Sequence, residues 1–128
     1  LKGRIGRHNL TIWDVGGQDK IRALWKHYYQ GADALVFVVD SNDSERVDLA
    51  ADELHYLLSA PELSKASVLI YANKQDLPNV MKVDEIANKL RVKSFGNRQW
   101  YIQSCSASTG EGIYEGLSAL NSMLSKSS

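Results

Sequence analysis

Two unbroken apolar runs, Ala34-Leu35-Val36-Phe37-Val38-Val39 and Val68-Leu69-Ile70-Tyr71-Ala72, restrict what this chain can fold into. A strand with one face in water alternates apolar and polar side chains. These runs do not alternate, so both of their faces need cover. That is the pattern of central strands in a parallel sheet with helices on each side. Neither run approaches the ~20 apolar residues needed to cross a bilayer as a helix.

The rest of the chain supplies the alternation such a sheet requires. Leu10-Thr11-Ile12-Trp13 is a short β-prone segment that ends at Asp14 and a Gly16-Gly17 turn. Ile21, Leu24, Trp25 and Tyr28 fall at helical spacing, as do Val47, Ala50, Ala51, Leu54, Leu57 and Leu58 between Glu45 and Ser59. Asp40-Ser41-Asn42-Asp43-Ser44 is turn chemistry, with Asp43 or Ser44 able to cap the helix that follows, and Pro61 ends that helix. Val83, Ile86, Ala87 and Leu90 suggest a short helix, Trp100-Tyr101-Ile102-Gln103 a further strand, and Ser108–Gly112 a turn. Ile113, Leu117, Leu120 and Leu124 mark a last helix, with the Ser-rich end after Ser122 expected to fray. Strand and helix alternate four times, which predicts an α/β fold with a mostly parallel sheet and right-handed crossovers. The 128 residues are expected to form a single domain.

In such sheets ligands bind beyond the carboxyl ends of the strands. Asp14–Gln18, Asp40, Asn73–Asp76 and Ser104–Ser108 all fall at those ends. Asn73-Lys74-Gln75-Asp76 is chemically suited to reading guanine. Its aspartate can accept from N1–H and the exocyclic N2 amine together, a donor pair adenine lacks. The lysine stem can lie along the base, and the asparagine amide can tie neighbouring loops. A polar turn after a strand is the plain alternative for these four residues. Trp13-Asp14-Val15-Gly16-Gly17-Gln18 offers an acid for a metal's water shell, glycines for close approach to phosphate and a glutamine to orient water. A capped turn is the alternative there.

The runs Trp13–Arg22, Leu24–Tyr29, Val38–Val47, Tyr71–Asn79, Trp100–Gln103 and Gly110–Leu117 resemble the ADP-ribosylation factor (Arf) family of small GTPases, from about Leu10 onward. The resemblance implies a P-loop NTPase-like fold that binds GTP or GDP with Mg2+, hydrolyses GTP slowly and switches conformation in membrane traffic. It implies that Asp14 holds magnesium through a water, that Gly17 meets the γ-phosphate, and that Gln18 is the catalytic residue placing the attacking water. Asn73, Lys74 and Asp76 would bind guanine. Cys105-Ser106-Ala107 would form the loop over the base, with the Ala107 N–H on guanine O6, although Cys105 and Ser106 depart from the family's usual pattern. Trp13 and Tyr28 match an aromatic effector-binding surface. An exchange factor, a GTPase activator and effectors would be partners, and cytoplasmic residence with Golgi or endomembrane association would follow.

Several family elements are missing from these 128 residues, the phosphate cradle first among them. A P-loop reads G-x-x-x-x-G-K-[ST], and no glycine here is followed five residues on by Gly-Lys. The strand and helix flanking that loop, the switch I threonine and a lipidated amino-terminal helix are also absent. In the family's sheet the missing strand would lie between the segments at Leu10–Trp13 and Ala34–Val39, and residues 1–9 would precede the former. Unpaired strand edges recruit other strands. Three outcomes are therefore expected: direct pairing of those two strands, a swapped homodimer through open edges, or completion by a separate fragment. The chain alone is expected to lack phosphate binding and appreciable hydrolysis. The competing expectation is a non-catalytic interaction module working through its aromatic surface or self-association.

Composition narrows the classes further. Fifteen basic residues balance fifteen acidic ones, which gives no signature of nucleic-acid binding or of attraction to an acidic membrane. No membrane anchor or signal segment is expected within the 128 residues. Cys105 is the single cysteine, which excludes an internal disulfide and fits a reducing compartment. It reads as a packing residue and not as a nucleophile. His8, His27 and His55 lack metal-ligand spacing, and His55 falls on a helix face that reads as solvated. No strand is followed by G-x-G-x-x-G, which excludes a dinucleotide-binding enzyme.

Overall fold

The computed structural model describes residues 2–5, 8–14 and 32–127, with the backbone alone for 2–5, 8–14 and 126–127. Among these, five strands form one sheet in the order β1-β2-β3-β4-β5. They are β1 (Lys2–Ile5), β2 (His8–Asp14), β3 (Ala34–Asp40), β4 (Ser67–Asn73) and β5 (Trp100–Ser104). β1 pairs antiparallel with β2, and every later pairing is parallel. Three helices follow: α1 (Val47–Leu58), α2 (Val83–Lys89) and α3 (Ile113–Ser127). This is the expected α/β architecture.

β2 and β3 pair directly, with Leu10 beside Ala34, Ile12 beside Val36 and Asp14 beside Val38. Of the three outcomes expected for the gap between these segments, direct pairing is the one this structure contains. The backbone groups of β3 are thus satisfied on both sides, as a strand buried on both faces requires.

The apolar runs occupy the middle of the sheet as their composition demands. Leu35, Phe37 and Val39 of β3 point to one face with Val68, Ile70 and Ala72 of β4, under α1 and α2. Ala34 and Val36 point to the other face with Leu69 and Tyr71, under α3. Each fully buried large apolar side chain contributes roughly 1.5–3 kcal/mol. Phe37, Leu54, Leu57 and Ile70 are all fully buried.

Helix boundaries follow local chemistry. Asp43 Oδ1 accepts from Arg46 N at 3.3 Å, closing the turn that leads into α1, so the acid acts one turn ahead of the helix. Asp48 in the first turn complements the helix dipole. α1 stops at Leu58, and Pro61 opens a short 3-10 turn, Pro61–Leu63.

Three features differ from the sequence pattern. Lys2–Ile5 forms an edge strand although its residues show no apolar alternation; its state comes from pairing with β2. α3 runs on to Ser127, beyond the expected fraying point, because Leu124 is buried against the sheet. His55 is half-buried, with Nε2 at 2.9 Å from Leu90 O and its ring 5.5 Å from Phe95, so its face is not solvated. The helix expected over Ile21–Tyr28 lies outside the described residues.

Candidate functional site

β3, β4 and β5 end at Asp40, Asn73 and Ser104, and the loops leaving them converge. Asp40 lies beside Asn73, and Ala72 beside Ser104. β2 ends at Asp14, level with Val38 and so two residues short of Asp40.

Asn73 is the junction between two loops. Its Oδ1 accepts from Lys74 N at 2.8 Å and from Ala107 N at 2.8 Å, and lies 3.7 Å from the Cys105 thiol. Cys105 N donates to Ala72 O at 3.0 Å, and Gln75 N donates to Cys105 O at 3.0 Å. The 73–76 and 105–107 loops are therefore stitched together from both sides. The Ala107 N–H, which the family resemblance aims at guanine O6, is held here by Asn73. A base carbonyl would have to share or displace that bond.

Lys74 adopts a left-handed backbone, φ 67°, which costs a side-chain-bearing residue roughly 1–2 kcal/mol. The conformation brings its ammonium onto Asp40, Nζ to Oδ2 at 2.9 Å. Both side chains are more than one third exposed, so the pair is worth at most ~1 kcal/mol. Asp40 Oδ1 also accepts from Asn42 N at 2.9 Å, which orients the carboxylate toward the lysine.

Asp76 is exposed at the edge of a cleft of about 270 Å³, whose lining includes Gln103, Ser106, Glu111 and Glu115. Three carboxylate residues in that lining, Asp76, Glu111 and Glu115, suit the donor edge of a base and disfavour a polyanion. The lining also includes Gly112, where an added Cβ would sit 2.1 Å from Ser104 O. Only a bare backbone fits there, and at φ 81° glycine carries no strain.

Cys105 is buried at 3% exposure, and burial pushes its thiol pKa up to about 11. It stays protonated at neutral pH and packs like a small apolar residue, which leaves no nucleophile at this position. Ser106 is equally buried, with Oγ 3.1 Å from Ser108 Oγ.

The structure thus brings Asn73, Lys74, Asp76, Cys105, Ser106 and Ala107 together at one sheet edge. The backbone puts Asp14 at the same edge, and Trp13 one residue before it in β2. Their side chains, together with Gly17, Gln18 and Tyr28, lie outside what is described. Among the described residues no group of three or more His, Cys, Asp or Glu could hold a metal ion. The sequence placed Asp40 at a strand end and in a turn without revealing its ion pair with Lys74, and it gave Gln75 no role. Their partners lie 34 residues away, which spacing along the chain does not reveal.

Comparison with known proteins gives the same picture. A family model described as the ADP-ribosylation factor family matches residues 4–124. A solved structure of the Arl6 (BBS3) small GTPase from Trypanosoma brucei, with a bound nucleotide analogue GppNp, is similar at a TM-score of 0.84 and 29% identity. The similarity covers 100% of this chain and 79% of that one. The fold is that of a small GTPase, and the chain belongs to the ADP-ribosylation factor family.

Proposed function

We propose that these 128 residues carry the base-reading half of an Arf-type guanine-nucleotide switch, and that alone they neither grip a triphosphate nor hydrolyse GTP. The observation that carries this reading is the double tie between loops, Asn73 Oδ1 to Ala107 N and Gln75 N to Cys105 O, beside the exposed Asp76. That frame would hold the Asp76 carboxylate within reach of the N1–H and N2 amine of a bound guanine. The nucleotide analogue bound to the Trypanosoma relative supports nucleotide binding.

In the complete cycle, Asn73, Lys74 and Asp76 hold and select the base, while the 105–107 loop covers it. Asp14 would hold magnesium through a water, the Gly17 N–H would meet the γ-phosphate, and Gln18 would position the attacking water. The bound metal would supply charge neutralisation to the phosphates. Trp13 and Tyr28 offer an aromatic anchor for effectors, and an exchange factor and an activator set the two rates. The process served is vesicle and membrane traffic, from the cytoplasm onto endomembranes. For the 128 residues alone, the missing G-x-x-x-x-G-K-[ST] cradle is decisive, because base hydrogen bonds of roughly 1.5–3 kcal/mol each do not replace the lost phosphate contacts.

The test is phosphate release from GTP and Mg2+ by the purified 128-residue polypeptide, with any carried ligand identified after denaturation. No turnover and no stoichiometric nucleotide are expected. Turnover, or co-purified GDP or GTP, overturns the reading. A second reading, a non-catalytic module acting by self-association, draws on the open edge strand β5, where Trp100 and Tyr101 are exposed. Sedimentation that finds a stable, nucleotide-free homodimer favours it; a monomer removes it.

A further inference from the structure

The residue within the tetrad that lacks a role in base chemistry is nonetheless tied to three other segments of the chain. Gln75 Nε2 donates to Ser41 Oγ at 2.7 Å and to Met81 O at 3.0 Å. A carbonyl oxygen only accepts, so the Met81 contact fixes which way the amide faces. Ser41 is 1% exposed and fully engaged: its N donates to Asn73 O at 3.1 Å, and its O accepts from Met81 N at 2.9 Å. Three segments of the chain therefore meet on one side chain: the loop after β3, the tetrad, and the stretch before α2.

The side chains alternate about this anchor. Gln75 is half-buried and turned inward, whereas Lys74 before it and Asp76 after it are exposed. Drawing Gln75 into the junction is what presents its two neighbours outward. From the opposite side, the Gln75 N–H is held by Cys105 O. The backbone immediately before Asp76 is thus fixed through both its main chain and its side chain.

We propose that Gln75, acting through Ser41 and Met81, is the positioning residue that sets where the Asp76 carboxylate stands against the base, and hence the strength of guanine selection. This rests on the base-reading function proposed above. Loss of the anchor leaves the tetrad tied at Asn73, so the base can still stack while Asp76 loses its fixed distance to the N2 amine.

Guanosine, inosine and adenosine titrated into the ¹⁵N-labelled protein, followed by NMR, separate the possibilities. Inosine keeps the guanine ring but lacks the N2 amine. Wild type is expected to bind guanosine about tenfold more tightly than inosine, the scale of one charge-assisted hydrogen bond. Gln75→Leu is expected to reduce that ratio to about twofold, with inosine, which keeps only the N1–H contact to Asp76, weakened less than guanosine. Ser41→Ala removes one of the two acceptors and is expected to fall between, which keeps the test in hand should Gln75→Leu not fold. An unchanged ratio in the folded variants overturns the inference, as does an equal loss of guanosine and inosine, which marks a purely structural role. A wild type that fails to prefer guanosine over adenosine overturns the base-reading function itself, and this inference with it.

Discussion

The two faces of the sheet are built from different materials. Under α1 and α2 the core is aliphatic and aromatic carbon throughout its centre, with Leu35, Phe37, Leu54, Leu57, Ile70, Ile86 and Leu90 fully buried. Under α3 the described core is thinner, and two of its members carry ionisable groups, Tyr71 and Cys105. The Tyr71 hydroxyl donates to Ile113 O at 2.5 Å, and the Cys105 thiol lies against Asn73. One face therefore supplies stability, while the other couples core packing to the loops that would hold a base.

Truncation on the first face is expected to have the largest effect. Phe37→Ala should cost about 3–5 kcal/mol, read as a fall in denaturant midpoint at unchanged slope. A loss near 1 kcal/mol would show that the α1–α2 side does not dominate. Alkaline pH probes the second face. Burial pushes the Tyr71 pKa up to about 12 from 10.0, and that of Cys105 to about 11 from 9.0. Both groups ionise more readily in the unfolded chain. Their contribution is therefore whole below pH 9.0 and is lost as pH climbs through the folded values near 11 and 12. Each shift corresponds to on the order of 2 kcal/mol. Unfolding midpoints should drop between pH 9 and 11 in wild type, and drop less in Tyr71→Phe/Cys105→Ala.

Gly116→Ala strikes the same face sterically. The added Cβ would stand 2.5 Å from the Tyr71 ring, so α3 must shift, at about 1–3 kcal/mol. Pairing it with a smaller residue at position 71 should recover part of that loss in a double-mutant cycle. The smallest expected effect is that of Tyr71→Phe at neutral pH. It removes one hydrogen bond to Ile113 O, worth about 1 kcal/mol, and should be visible as a small decrease in melting temperature.

How far the sequence announced these features depends on the range of the interaction. Val68–Ala72 and Ala34–Val39 read as buried strands because their own side chains carry the pattern, and Asn73–Asp76 stood out because its chemistry is local. Lys2–Ile5 did not, since its strand state belongs to the partner strand. His55 was misjudged because helical periodicity reports one helix, and the cover comes from Leu90 and Phe95, far along the chain. The junction of Ser41, Gln75 and Met81 escaped notice for the same reason. Hydrogen bonds between distant segments leave no spacing to count.

Arg98 draws together one more set of distant residues. Its guanidinium donates to the carbonyls of Leu63 and Ala66 at 2.6 and 2.7 Å, and to Leu58 O at 3.3 Å. A trypsin-like protease must take an arginine side chain into its own specificity pocket before it can cut. The bond after Arg98 should therefore resist cutting as long as those carbonyls hold the guanidinium, and cleavage there would report an opening of the ground between α1 and β4.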